Sequence, residues 1–407
     1  MPLTKGSPDY RRLTLAMLFA GFSTFSLLYS AQPLLPLFAH DFHLSAEAAS
    51  LAVGLATGPL AIGILVAGAL SDRWGRRPMM VAAMFLAGGF SLATAAAPGW
   101  PALLALRFLT GVALAGVPAV AMAYVSEEVD HASVGSAMGL YIGGSAIGGM
   151  AGRLGVSLLT DIAGWRGAVA LVGVAGLVMA EAFRRLAPDS RHFVRSAPSP
   201  GEVARGFIAL FRDRAMPLLF LEAFVLMGVF VSIYNYAGFR LMAAPYGLGH
   251  AAVGAIFLLY LLGSWSSGWF GGVAGKLGRR RVFWIPVVLL IAGVALTAAR
   301  PLGLVVAGIG VVTVGFFGAH SIASAWVGRR ALGRRGQAAA LYLFFYYAGS
   351  SVLGSLCGIA WTRGGWPGVA WSCGALGAIA LVLGAILRTI PPLPENETTP
   401  PKPLGTD

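Results

Sequence analysis

Apolar runs of about 20 residues, separated by short polar or Gly- and Pro-bearing breaks, follow one another along almost the whole chain. Each run has the length a helix needs to cross a hydrocarbon core, so the pattern predicts twelve spanning helices. They fall at 12–35, 46–70, 78–97, 101–124, 133–158, 166–185, 217–240, 250–273, 281–299, 302–326, 335–360 and 367–388. The longest polar stretch separates the sixth run from the seventh. The chain therefore divides into an N-terminus (1–11), a six-helix half (12–185), a linker (186–216), a second six-helix half (217–388) and a tail (389–407). Within the linker, 202–214 is amphipathic and predicts a short helix lying on the inner membrane surface. The proline-rich tail from 390 onward predicts disorder.

Composition fits this reading and excludes a soluble globule: 57% of residues are hydrophobic and 11% charged, and the mean hydropathy is +0.77. The first run shows no small-residue cleavage pattern between Leu13 and Phe38, so it is expected to stay as a span. A net charge of +13 would suggest nucleic acid in a soluble protein. Here most of the 29 Lys and Arg fall in alternate inter-helix segments, which places those segments and both termini in the cytoplasm, against anionic lipid. Membrane lipid is thus the expected partner and nucleic acid is not. Cys357 and Cys373 lie inside spans, where they read as small apolar fillers.

Two internal echoes relate the halves. The charged turn Gly68-Ala-Leu-Ser-Asp72-Arg73-Trp-Gly75-Arg76-Arg77-Pro78 returns 203 positions later as Gly271-Gly-Val-Ala-Gly275-Lys276-Leu-Gly278-Arg279-Arg280-Arg281. Tyr141-Ile-Gly-Gly-Ser-Ala-Ile-Gly-Gly in the fifth span is echoed by Tyr346-Tyr-Ala-Gly-Ser-Ser-Val-Leu-Gly-Ser in the eleventh. The reading is an all-α membrane protein whose two pseudo-symmetric six-helix halves rock against each other.

These residues resemble the major facilitator superfamily over essentially the whole chain except its tail. Gly68-x3-Asp72-Arg73-x-Gly75-Arg76-Arg77 is similar to the signature loop between helices two and three. Leu106-Arg107-Phe108-Leu109-Thr110-Gly111 is similar to the helix-four motif, with Thr110 where Gln is common. Gly144-x3-Gly148-Gly149-x2-Gly152 resembles the helix-five motif of the drug/proton antiporter branch, with Gly149 in place of the usual Pro. Tyr29-Ser-Ala-Gln32-Pro33-Leu-Leu-Pro36 and Tyr234-Asn235-Tyr236-Ala-Gly-Phe-Arg240 look most like bacterial inner-membrane arabinose-efflux-like permeases. Many members carry an Asp near the position of Gln32, and its absence here means that the resemblance supplies no proton carrier at that point.

The candidate chemistry follows from polar groups that apolar runs would otherwise exclude. Arg107 lies six residues into the fourth span, where an unpaired charge costs at least ~2.5 kcal/mol, so it should face the bundle interior and contact a substrate or protonatable partner, or else snorkel to the outer headgroups. Arg153, near the outer end of the fifth span, reads equally as a snorkelling cation. Glu222 is a carboxyl well inside an apolar run and a usable proton carrier, or else an interfacial partner of Arg212 or Arg214. His320 titrates near physiological pH, though a lone His among small residues also serves as packing. Tyr234, Asn235 and Tyr236 suit recognition of a sugar or drug, and Tyr236 alone would also suit an aromatic interface belt. Tyr29, Gln32, Tyr141 and Tyr346 line the same cavity if helices one, five, seven and eleven surround it, as the resemblance implies. Asp72, with Arg73, Arg76 and Arg77 and the turn glycines Gly68 and Gly75, reads as a gate latch; the cations alone also serve as a topology signal. Gly144, Gly148 and Gly152 are helix-packing positions.

No phosphate-binding loop, metal spacing or nucleophile triad is present, so neither an enzyme nor ATP, a metal or another cofactor is expected. The resemblance implies a monomeric secondary transporter that exports a small organic molecule, drug-like or sugar, in exchange for protons. A facilitator or importer of sugars or organic acids, and a non-transporting receptor, are the other readings.

Overall fold

The computed structural model describes residues 2–193, 195, 199–331 and 333–391. The stretch predicted to be disordered lies, from residue 392 on, outside the described residues. Among the described residues, ten apolar helical segments are long enough to cross a membrane. Two of them, Val134–Leu186 with 53 residues and Arg335–Thr389 with 55, would reach about 80 Å if straight. That far exceeds a hydrocarbon core of about 30 Å. Each contains one non-helical glycine, Gly164 (φ 65°) and Gly365 (φ 56°), and each folds back there. Gly152 and Gly176 both pack on the Ser26–Leu27 region, and Gly349 and Gly384 both pack beside residues 222–224. Ten segments thus make twelve spans.

In chain order these are α1 (Pro8–Asp41), α2 (Ala46–Trp74), α3 (Arg76–Thr94), α4 (Trp100–Glu128), α5 (134–163), α6 (165–186), α7 (Met216–Met242), α8 (His250–Leu277), α9 (Arg279–Thr297), α10 (Leu302–Arg330), α11 (335–364) and α12 (366–389). The charged turns are glycine-dependent in both halves. Gly75 (φ 99°) and Gly278 (φ 91°) end α2 and α8 in a backbone region that side chains with a Cβ rarely adopt. Each donates its N–H to the carbonyl four residues back, Ser71 and Ala274. The end of the bundle that carries these turns is called the basic face below.

Inside each half, small residues set the helix contacts. Gly144, Gly148 and Gly152 of α5 lie against the backbone at Leu18, Phe22 and Ser26 of α1, one turn after another, and Ser26 Oγ donates to the Gly148 carbonyl at 2.8 Å. In the second half Gly349 of α11 meets the Phe224 backbone of α7.

α1 is interrupted where the apolar run predicts one continuous span. Its regular helix ends at Tyr29, a single 3₁₀ turn covers Gln32–Leu34, and the helix resumes at Leu35. Pro33 and Pro36 bring no N–H, so the ladder cannot run through this stretch. The linker helix, Pro200–Leu210, begins in a capping box between Ser199 and Glu202. Its Gly206 abuts Gln337 of α11 and its Phe207 reaches the gap between α2 and α11. Its apolar stripe Val203, Phe207 and Leu210 finds that groove better than water.

Candidate functional site

A cavity of about 710 Å³ lies between the two halves. Its wall takes Phe25 and Tyr29 from α1, Arg153 from α5, Phe230 from α7, Tyr260 from α8, His320 from α10 and Tyr346 from α11. It runs from Arg153 to Arg335, the first residue of α11, so its mouth is at the basic face.

At the other end the halves are closed against each other along three helix pairs. Between α1 and α7, Gln32 Nε2 donates to Asn235 Oδ1 at 2.7 Å. Between α2 and α11, Ser351 Oγ donates to the Gly54 carbonyl at 2.8 Å. Between α5 and α8, Asp161 accepts from the Ala251 N–H at 3.1 Å and lies 2.9 Å from His250 Nδ1. Near the basic face the same α2 and α11 diverge. A gap of about 410 Å³ there has Gly68, Asp72 and Arg76 on one side, Gly336 and Gln337 on the other, and the linker helix seated in it.

Sequence comparison agrees with this architecture. Residues 14–244 match the sequence profile of the Major Facilitator Superfamily. The chain belongs to the major facilitator superfamily. It is 41% identical over 394 residues to "Uncharacterized MFS-type transporter YybF" of Bacillus subtilis (strain 168), covering 97% of this chain and 98% of that one. It is 42% identical over 390 residues to "Inner membrane transport protein YnfM" of Escherichia coli (strain K12), covering 95% and 92%. Among solved structures, the fold is similar to a bacterial homolog of the human lysosomal transporter Spinster in an inward-facing and occupied conformation. That similarity has TM-score 0.76 and 14% identity, with 98% and 100% of the two chains covered. The nucleoside transporter NupG (D323A mutant) aligns with TM-score 0.72 and 17% identity, covering 92% of this chain and 99% of that one.

Four of the candidate residues in this membrane transporter, Tyr29, Arg153, His320 and Tyr346, are in the cavity wall. His320 Nδ1 lies 2.9 Å from the Tyr342 hydroxyl, and its ring stacks on Phe316 at 5.8 Å. Gln32 and Asn235 form the closed seam at the cavity's blind end. The neighbours of Asn235 point elsewhere, because successive helical residues are about 100° apart. Tyr234 hydrogen-bonds Thr313 Oγ1 at 2.8 Å, and Tyr236 donates to the Gly354 carbonyl at 3.1 Å. Tyr141 is buried in the first half with its hydroxyl unpartnered. Tyr141, Tyr234 and Tyr236 are all outside the cavity wall.

Arg107 was expected to face a substrate or a protonatable partner. It is instead a backbone clip: Nε donates to Ala52 O and Nη1 to Leu27 O, each at 2.9 Å, and Nη2 donates to Leu28 O. The break in α1 withdraws the usual N–H partners of those two leucine carbonyls, and the guanidinium takes their place. Arg107 does not line the cavity. Glu222 is fully buried, and neither oxygen has a hydrogen-bond partner. It sits beside Gly384 of α12, away from the cavity wall, and not against Arg212 or Arg214. Asp213 instead pairs with Arg330 at 2.8 Å.

The residue that sequence reasoning underrated is Arg153. It does not snorkel: it is 3% exposed, and its Nε donates to Gln32 Oε1 at 2.6 Å. The Tyr29 ring lies 4.2 Å from its guanidinium carbon. Tyr342, beside His320, was missed as well.

At the basic face, Arg76 is held by Asp72 at 2.6 Å, by Glu127 at 2.7 Å and by Ser71 Oγ at 2.5 Å. Arg77 reaches the end of α6 through the Ala187 and Arg184 carbonyls, at 2.8 and 2.7 Å. Arg73 offers its carbonyl to Arg195 Nε at 2.8 Å. At the matching place in the second half Asp72 is replaced by Gly275, and Arg279 has no ion-pair partner among the described residues.

Proposed function

We propose that this transporter exports a small organic molecule from the cytoplasm across the inner membrane by alternating access, with protons moving inward in exchange. The chain acts as a monomer with both termini cytoplasmic. The observation that carries this reading is the cavity of about 710 Å³, walled by both halves, with its mouth at the basic face. The Lys and Arg bias makes that face cytoplasmic, so the cavity would receive cargo from inside. A volume of this order suits a drug-sized molecule. Tyr29, His320 and Tyr346 are its contacts with cargo.

Closing the basic face would bring the first turn of α11 toward Asp72 across the gap they now share. The carboxylate suits a helix N-terminus, and its present partner Arg76 keeps Glu127 when Asp72 is drawn away. His320 in the cavity wall and Glu222 behind it are the proton-responsive groups. The test is uptake by inverted membrane vesicles. Collapsing the pH gradient should abolish uptake; unchanged uptake would refute proton exchange.

A further inference from the structure

The character of the cavity wall narrows the cargo. We infer that the transporter takes an organic anion with a flat apolar body, its anionic group held by Arg153. This rests on the cavity being the cargo site. Its charged and readily charged lining residues are Arg153 at the blind end, His320 midway and Arg335 at the mouth; no Asp or Glu lines it among the described residues.

Arg153 is a built half-site. Its Nε and Nη1 are used, on Gln32 Oε1 and the Gly149 carbonyl, both at 2.6 Å. Those two bonds fix the plane of the guanidinium. Nη2 has no protein acceptor and no carboxylate pairs with the group, among the described residues. The rings of Tyr29, Tyr260 and Phe257 stand at 4.2, 5.0 and 5.4 Å from its carbon. They soften the burial of the cation but supply no negative charge. A buried cation without a counter-ion is what an arriving carboxylate or sulfonate would complete, and a second cation would be repelled. Beyond that point the wall is largely apolar and aromatic, with Phe230, Phe317 and Tyr346 among its lining rings, a surface that suits a flat apolar body. Exposed Arg335 at the mouth favours entry of anions.

The experiment uses the full-length protein in lipid nanodiscs and three matched probes: 1-naphthoate, its neutral amide, and 1-naphthylmethylamine. Equilibrium binding should favour the carboxylate over the amide by about tenfold or more, with the amine weakest. Arg153→Gln should erase the preference and Arg153→Lys should keep part of it; the wild-type series decides the matter should Arg153→Gln fold poorly. Equal or better binding of the amide or amine, or no carboxylate binding up to about 10 mM, overturns the anion assignment. Flux in proteoliposomes separates this from the broader reading. Carboxylate-selective binding without flux would leave the anion site and refute transport, whereas flux of neutral or cationic cargo would leave transport and refute the anion site.

Discussion

Gln32 and Asn235 are 203 positions apart and hydrogen-bond each other at 2.7 Å, Gln32 Nε2 donating to Asn235 Oδ1. The same spacing separates Gly75 from Gly278. Counterparts in the two repeats therefore meet where the halves join, as residues near a pseudo-twofold axis must. A neutral bond of this kind contributes only about 0.5–1.5 kcal/mol net, so the seam can part and reform during transport.

Removing one partner should tilt the balance between states. Asn235→Ala leaves the Gln32 amide without its acceptor when the seam is closed, a penalty of about 1 kcal/mol or more. We expect roughly a fivefold shift toward the conformation closed at the basic face. The readout is slower alkylation of a cysteine placed at cavity residue Ser324; an unchanged rate would show that the seam does not bias the equilibrium.

Arg107 should behave as a structural residue. Arg107→Leu strips three carbonyls of a charged donor at the break in α1, and we expect a loss of about 3 kcal/mol or more. Thermal melting in detergent should fall markedly, while KM of any surviving transport stays close to that of the unmodified protein. A normal melting curve with a raised KM would mean that Arg107 meets cargo after all.

Asp72→Asn should leave the fold intact, because Glu127 still pairs with Arg76 at 2.7 Å. Transport should drop by about tenfold or more, with kcat falling rather than KM rising. Full activity would remove Asp72 from the gate.

The contact between α5 and α1 has no room for side chains. Gly148→Val would drive its Cβ into the Phe22 backbone, which cannot move without displacing α1. Folded yield should collapse, whereas Gly143→Ala, with nothing within 4 Å of an added Cβ, should be neutral. Size-exclusion profiles of the two variants check the pair.

The spans could be read from the chain because apolar runs of membrane length leave few alternatives, and Gly164 and Gly365 lie in the breaks expected at 158–166 and 360–367. Which way each side chain points was not legible. Tyr234, Asn235 and Tyr236 looked like one recognition group, yet Tyr234 bonds Thr313, Tyr236 donates to the Gly354 carbonyl and Asn235 accepts from Gln32 across the halves, and periodicity alone does not say which face of a buried helix meets which neighbour. Arg107 and Arg153 are both buried cations, and depth does not rank them. One signal was present: Pro33 and Pro36 interrupt α1 and release carbonyls, which a nearby buried guanidinium can satisfy. Arg153 had no comparable marker, because its partner Gln32 lies 121 positions away.

The most direct test of alternating access is a reversible lock on the closed end. In a background with Cys357 and Cys373 replaced by Ala, Asp161→Cys and His250→Cys would place two thiols where the present side chains lie 2.9 Å apart. Proteoliposome flux should stop on oxidation and return on reduction, with the mouth at the basic face still open to alkylation at Ser324→Cys. Undiminished flux through the fully cross-linked protein would contradict the account.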